Sequence, residues 1–168
     1  MAIAGNALRE WLAGCKRSRV AQLPRRVLDL KAACTCGAVH ASVAGKVLSM
    51  FLCSCEDCQK ATGTGHSAVV LMRSADVTLT GDVRSFARPS ESGATLTRSF
   101  CPKCGTPIMA RSSRAPDVLM LPVGLFSAAA AEWFRPNQLI FARSHRDWDT
   151  VADELPRHAT YRNKGAMM

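Results

Sequence analysis

No apolar run in this chain approaches the ~18–20 residues that a membrane-spanning helix needs. A secretory signal pattern is missing too: Met1–Ala4 is apolar but short, and basic residues follow it. Aromatic residues make up only 6% of the chain, with a single tyrosine. They do not interleave with a run of Arg and Lys, as the stacking platform of a nucleic-acid binder requires. There is no internal repeat and no low-complexity tract. These absences leave an ordinary soluble domain, expected in the cytoplasm. The 168 residues suffice for one domain with a real core and are too few for two comfortable ones.

Cysteine, in contrast, is abundant. In a reducing compartment eight cysteines suggest metal binding rather than disulfides. Their spacing agrees. Cys34 and Cys36 form a C-x-C, Cys53, Cys55 and Cys58 a C-x-C-x-x-C, and Cys101 and Cys104 a C-x-x-C in "CPKCG". Only Cys15 stands alone. Side chains at i and i+2 of a strand share a face, so both C-x-C pairs suit strands. "CPKCG" suits a tight turn, with Pro102 fixing one backbone angle and Gly105 accepting a left-handed one. Two-residue pairs combine to complete a tetrahedron. The economical division joins Cys34 and Cys36 to Cys101 and Cys104 as a closed, structural zinc site.

That division leaves Cys53, Cys55 and Cys58 as a second zinc site with one place open. Closed sites are structural, and catalytic ones keep a position for water or substrate. A substrate thiol suits the open place, because a metal holds it as the nucleophilic thiolate. His66 is the nearest protein candidate for that place, although its setting in "HSAVVLM" reads first as a packed or solvated strand residue. Asp57, inside the motif, reads as a solvated turn residue before a ligand or base.

Taken together and in order, "CTCGAV", "CSCEDCQKATG" and "SFCPKCGTPI" resemble the glutathione-dependent formaldehyde-activating enzyme family, which also includes centromere-protein-V-like members. The tail "NQLIFARSHRDWDTVADELPRH" is similar to the family's end. The resemblance spans about Leu30 to Tyr161. It implies the Mss4-like, zinc-containing β fold, built of short antiparallel strands. It implies a structural zinc on Cys34, Cys36, Cys101 and Cys104, and a second zinc on Cys53, Cys55 and Cys58. The family's reaction combines glutathione with formaldehyde to S-hydroxymethylglutathione, the reverse of a carbon–sulfur lyase step. Members often carry His between the first two cysteines of the middle motif, and this chain has Ser54. The competing reading is a zinc-stabilised binding module without turnover, for a protein partner or, less well matched, nucleic acid.

Short strands are predicted in "AVHASVAG", "KVLSMFLCSC", "HSAVVLMR", "DVTLTG", "VRSFAR", "ATLTRSF", "TPIMAR" and "DVLMLPVG". "QKATGTG" reads as a turn. A short C-terminal helix is expected in "WDTVADEL", closed by Pro156. "ARPSESGAT" is the candidate loop at the border of the open site, its default reading being a solvated connection. Residues 1–29 form a basic N-terminal extension, helical or partly disordered, with Leu8, Trp11, Leu12 and Cys15 at helical spacing. Residues 30–162 form the zinc-binding β domain, and 163–168 a tail. The formal charge of +9 becomes about +6 once seven thiolates and two dications are counted. This suits an anionic small thiol such as glutathione. Lys60, Arg73, Arg98, Lys103 and Arg111 lie near the motifs and are the candidates to meet its carboxylates.

Overall fold

Alternation of apolar with small or polar residues runs through much of the chain. Each such run is a strand in the computed structural model, which describes residues 26–162. In chain order the strands are β1 (Val27–Ala33), β2 (His40–Lys46), β3 (Ser49–Cys53), β4 (Ser67–Arg73), β5 (Val77–Thr80), β6 (Arg84–Pro89), β7 (Thr95–Phe100), β8 (Pro107–Ser112), β9 (Ala115–Pro122), β10 (Leu139–Ile140) and β11 (Arg157–His158). Strands β1, β2 and β5 make a three-stranded antiparallel sheet, with β2 in the middle. The other eight form a sheet in the order β11-β10-β3-β4-β9-β8-β7-β6. Its pairings are antiparallel except where β10 runs parallel to β3 and to β11. The protein is thus mainly β. No helix among the described residues is long and apolar enough to cross a membrane.

The core lies between the two sheets. Leu28, Val39, Ala41 and Val43 from the smaller sheet side meet Met50, Val70, Met72, Ile108, Leu119 and Leu121 of the larger one. Burying a side chain as enclosed as Leu121 contributes ~1.5–3 kcal/mol. Because strand side chains alternate, the residues between these face the other way. Phe51, Val69, Leu71, Met109, Val118 and Met120 therefore line the opposite face of the larger sheet. That face is apolar as well, although one face of an antiparallel sheet is commonly solvated and polar.

Two α-helices are present among the described residues. Helix α1 (Glu56–Thr62) follows β3 directly and ends at Gly63, whose φ of 69° is left-handed. Helix α2 (Ala130–Trp133) is the short helix of the C-terminal part, and Trp133 anchors it edge-on against Phe126. The sequence placed that helix later, at 148–155, and that placement is corrected: these residues form turns. Asp149 is taken by His66, and Val151 packs with Leu52 and Leu139, so neither is free to serve a helical register. The sequence also read residues 59–65 as a turn, where α1 in fact continues to Thr62. The predicted helical spacing of Leu8, Trp11, Leu12 and Cys15 lies outside the described residues.

Candidate functional site

Two turns bring the first cysteine set together. Cys34 and Cys36 sit in the β1–β2 connection, not on a strand as their spacing suggested. Gly37, with φ of 72°, turns the chain there, and the Cys34 amide reaches the Val39 carbonyl. Cys101 and Cys104 sit in the β7–β8 connection, where Gly105 takes the expected left-handed angle, φ of 74°. Its amide donates back to the Cys101 carbonyl. The four sulfurs lie within 4.8 Å of one another. Cys34 and Cys36 are 3.5 Å apart, and Cys36 and Cys101 3.7 Å. Four thiolates sharing a tetrahedral dication at ~2.3 Å stand about 3.8 Å apart. This set therefore has the dimensions of a closed metal site, and it ties the small sheet to the large one.

Its electrostatics fit the same use. The Thr106 hydroxyl, then the Thr106 and Cys36 amides, hold the Cys104 thiol down at about 5, against burial. The Val39 amide donates to Cys34 Sγ at 3.2 Å. Backbone donors of this kind stabilise thiolates before any ion is bound.

The second set gathers at the end of β3. Cys53 is its last residue, Cys55 the N-cap of α1, and Cys58 lies in the helix's first turn. Only the first of these three is on a strand, which revises the strand reading of this C-x-C. The helix is what folds Cys58 back, with its amide on the Cys55 carbonyl at 2.9 Å. The three sulfurs lie within 4.8 Å of one another, and no other described His, Cys, Asp or Glu completes the group. Hydrogen bonds from the Cys53 and Cys58 thiols hold Cys55 down at about 2, against burial, and the Cys58 amide and Arg98 assist. Cys53 is pushed far up by its bonds to Cys55 and Cys58 and by burial. The Cys53 thiol favours the Cys58 thiolate, but the bond to Cys55 and burial prevail and raise Cys58 to about 11. A dication seated here displaces thiol protons, so its affinity rises with pH. Both cysteine sets are able to hold a metal ion.

The trio opens into a cavity of about 630 Å³. Of the five basic candidates, Arg98 alone lines it. The β7 register sets Arg98 beside α1, where it donates to the Asp57 carbonyl at 2.9 Å and to Cys58 Sγ at 3.4 Å. Replacing Arg98 with Met is expected to weaken metal binding at the trio by about 10- to 100-fold, as loss of a residue that supports a ligand generally does. Chelator competition on the purified variant measures it, and the four-thiol set is the internal control.

Other residues take roles that the sequence did not disclose. Arg88 pairs with the Asp57 carboxylate at 2.9 Å; Asp57 is a partly solvated residue of α1 rather than of a turn, and it is not grouped with the three sulfurs. Gln59 donates to the Ser54 and Ser144 carbonyls and accepts from Arg146, fastening α1 to the C-terminal segment. Ser90, Glu91 and Ser92 of the predicted border loop do line the cavity, and Glu91 pairs with Arg143. Their loop is a tight hairpin turn rather than a free connection. Phe141 also lines the cavity, with a left-handed φ of 57° that is unusual for a bulky residue. Such strain costs ~1–3 kcal/mol and persists where the surroundings enforce it. Here Tyr161 meets its ring edge-on.

His66 stays outside the trio. Its Nδ1 donates to Asp149 Oδ2 at 2.7 Å, and the structure places it as a packed residue before β4. Ser54 is wholly buried and does not line the cavity. Lys60, Arg73, Lys103 and Arg111 are exposed and away from the cavity.

A family model described as glutathione-dependent formaldehyde-activating enzyme matches residues 29–144. The crystal structure of a Rhodobacter sphaeroides protein is similar, with 19% sequence identity and a TM-score of 0.47, covering 59% of this chain and 89% of that one. No curated protein matches the chain.

Proposed function

The chain belongs to the glutathione-dependent formaldehyde-activating enzyme family, and from that premise we propose that it is a zinc enzyme joining a small thiol to an aldehyde. In the reverse direction it acts as a carbon–sulfur lyase on the adduct. One observation carries this reading: seven sulfurs are divided into a closed set of four and a set of three that faces a cavity. Structural zinc sites are closed, whereas catalytic ones retain a free position. Cys34, Cys36, Cys101 and Cys104 hold the structural ion in this reading, and Cys53, Cys55 and Cys58 the second. Zinc at the trio supplies Lewis acidity that keeps a substrate sulfur in its thiolate form at neutral pH.

The chain's own residues supply the rest. Arg98 sets a fixed positive charge against Cys58 and faces the cavity, where it favours an anionic sulfur and attracts carboxylates. Asp57 is held by Arg88 and leaves no free carboxylate to repel that anion. In the forward direction a carbon–sulfur bond forms at the carbonyl carbon. The carbonyl π pair moves to oxygen, which takes a proton, while the thiol proton leaves to solvent. The cavity walls position the two reactants, and solvent at its mouth takes the thiol proton and supplies the one that the oxygen gains. Cysteines grouped as candidate metal ligands rather than paired as disulfides favour a reducing, cytoplasmic setting.

The test is a metal count with and without thiol. Native mass spectrometry is expected to find two zinc ions per chain, and glutathione to bind only the zinc-loaded trio. Because the addition also runs uncatalysed, turnover is the rate above that of buffer alone. Two ions without glutathione binding would turn the reading to a zinc-stabilised binding module.

A further inference from the structure

The proposed thiol chemistry explains one end of the cavity. The rest is apolar. Phe51, Val69 and Leu71 of β3 and β4, with Val118 and Met120 of β9 and Met109 of β8, form its floor. The charged side chains of its lining are Asp57, Arg88, Glu91, Arg98 and Arg162, and Ser49 and Ser67 stand at the ends of the floor strands. The floor cannot accommodate the charged arms of glutathione without stripping their water and leaving them unpaired. Formaldehyde is little larger than a water molecule, whose share of liquid volume is ~30 Å³. It leaves nearly all of a 630 Å³ cavity unused. That volume is in the range of sites for one small molecule, ~300–1,000 Å³. It is continuous with the three sulfurs, so a single ligand reaches both.

We infer that the natural ligand of this site is an amphipathic thiol adduct, with its sulfur at the trio and an apolar tail of several carbons along the floor. The inference rests on the reading of the trio as a thiol site and adds the substrate class. The tail enters with either the thiol or the aldehyde, since both meet at the same sulfur. Phe141 fits this use, because its strained backbone turns an aromatic ring into the wall.

The experiment titrates the full-length, zinc-loaded protein with ethanethiol, butanethiol and hexanethiol, and separately with glutathione plus ethanal, butanal or hexanal. Calorimetry reads the affinities. Tail burial predicts about a fourfold gain per methylene in one of the two series, hence at least about a hundredfold from two carbons to six. A gain in the first series assigns the tail to the thiol, and a gain in the second to the aldehyde. Met120→Gln keeps side-chain length but places an amide on the floor. It is expected to weaken hexanethiol or hexanal adduct binding at least tenfold more than the two-carbon member. Val118→Thr, close in shape, serves as the second variant if circular dichroism shows that Met120→Gln does not fold. Flat affinities in both series, with glutathione still bound, would mean that the floor does not hold the tail of the ligand. That result overturns the inference and leaves the thiol reading standing. No binding of any thiol overturns both.

Discussion

Cys101→Ser is expected to abolish cooperative folding. Cys101 has no exposed surface, and its sulfur is 3.7 Å from that of Cys36, 65 residues earlier. A closed thiolate site contributes its binding energy as folding energy, ~10–16 kcal/mol for structural zinc. The whole stability of a domain is ~5–15 kcal/mol. Removing one ligand of four forfeits much of the first quantity and so exceeds what the second can absorb. The set also closes a long loop between two sheets, and its loss returns that entropy to the unfolded chain. Thermal melting by circular dichroism should show no cooperative transition, and a strong chelator should reproduce the effect on the unsubstituted protein. A variant that melts like the parent would mean that the hydrophobic contacts between the sheets suffice without the metal.

Why the cysteine grouping was legible while its local geometry was not is a matter of range. Short spacings restrict which sulfurs meet, and two pairs with one triplet leave few divisions. The backbone under them depends on single residues. Gly37 turns "CTCG" much as Gly105 turns "CPKCG", and that parallel was available in the sequence. Helix α1 gave no periodic signal, because none of its residues is buried and its N-cap is a cysteine without a side-chain cap. The strands were readable because Gly, Pro, Asp and Ser separate runs that alternate with period two. Selecting Arg98 from five basic residues needed the β7 register, which puts Leu96, Arg98 and Phe100 at the cavity. The Arg88–Asp57 pair joins β6 to α1, a long-range contact that no local pattern announces. The apolar second face of the large sheet was present in the alternation as well. "HSAVVLMR" and "DVLMLPVG" are apolar at both parities, the mark of a strand covered on both sides.

Cys55→Ser is expected to remove thiol binding and catalysis while leaving the fold in place. Cys55 is the N-cap of α1, and its side chain makes no capping hydrogen bond. Serine is among the preferred residues at that position, so the helix start is kept or improved. The thermal midpoint should therefore move little, in contrast to Cys101→Ser. What disappears is the ligand sulfur whose thiolate form the Cys53 and Cys58 thiols favour most, holding it down at about 2. A serine hydroxyl does not ionise there, and two thiols remain where three were needed. Native mass spectrometry should count one zinc in place of two. Glutathione should no longer bind, and the rate of adduct formation or cleavage should fall at least ~100-fold, toward the rate in buffer, as expected when a metal that activates the nucleophile is lost. Retention of both ions with glutathione binding intact would show that the trio is not the thiol site. Loss of the fold along with the ion would show that the trio is structural like its neighbour, and that the unequal division of sulfur has no catalytic meaning.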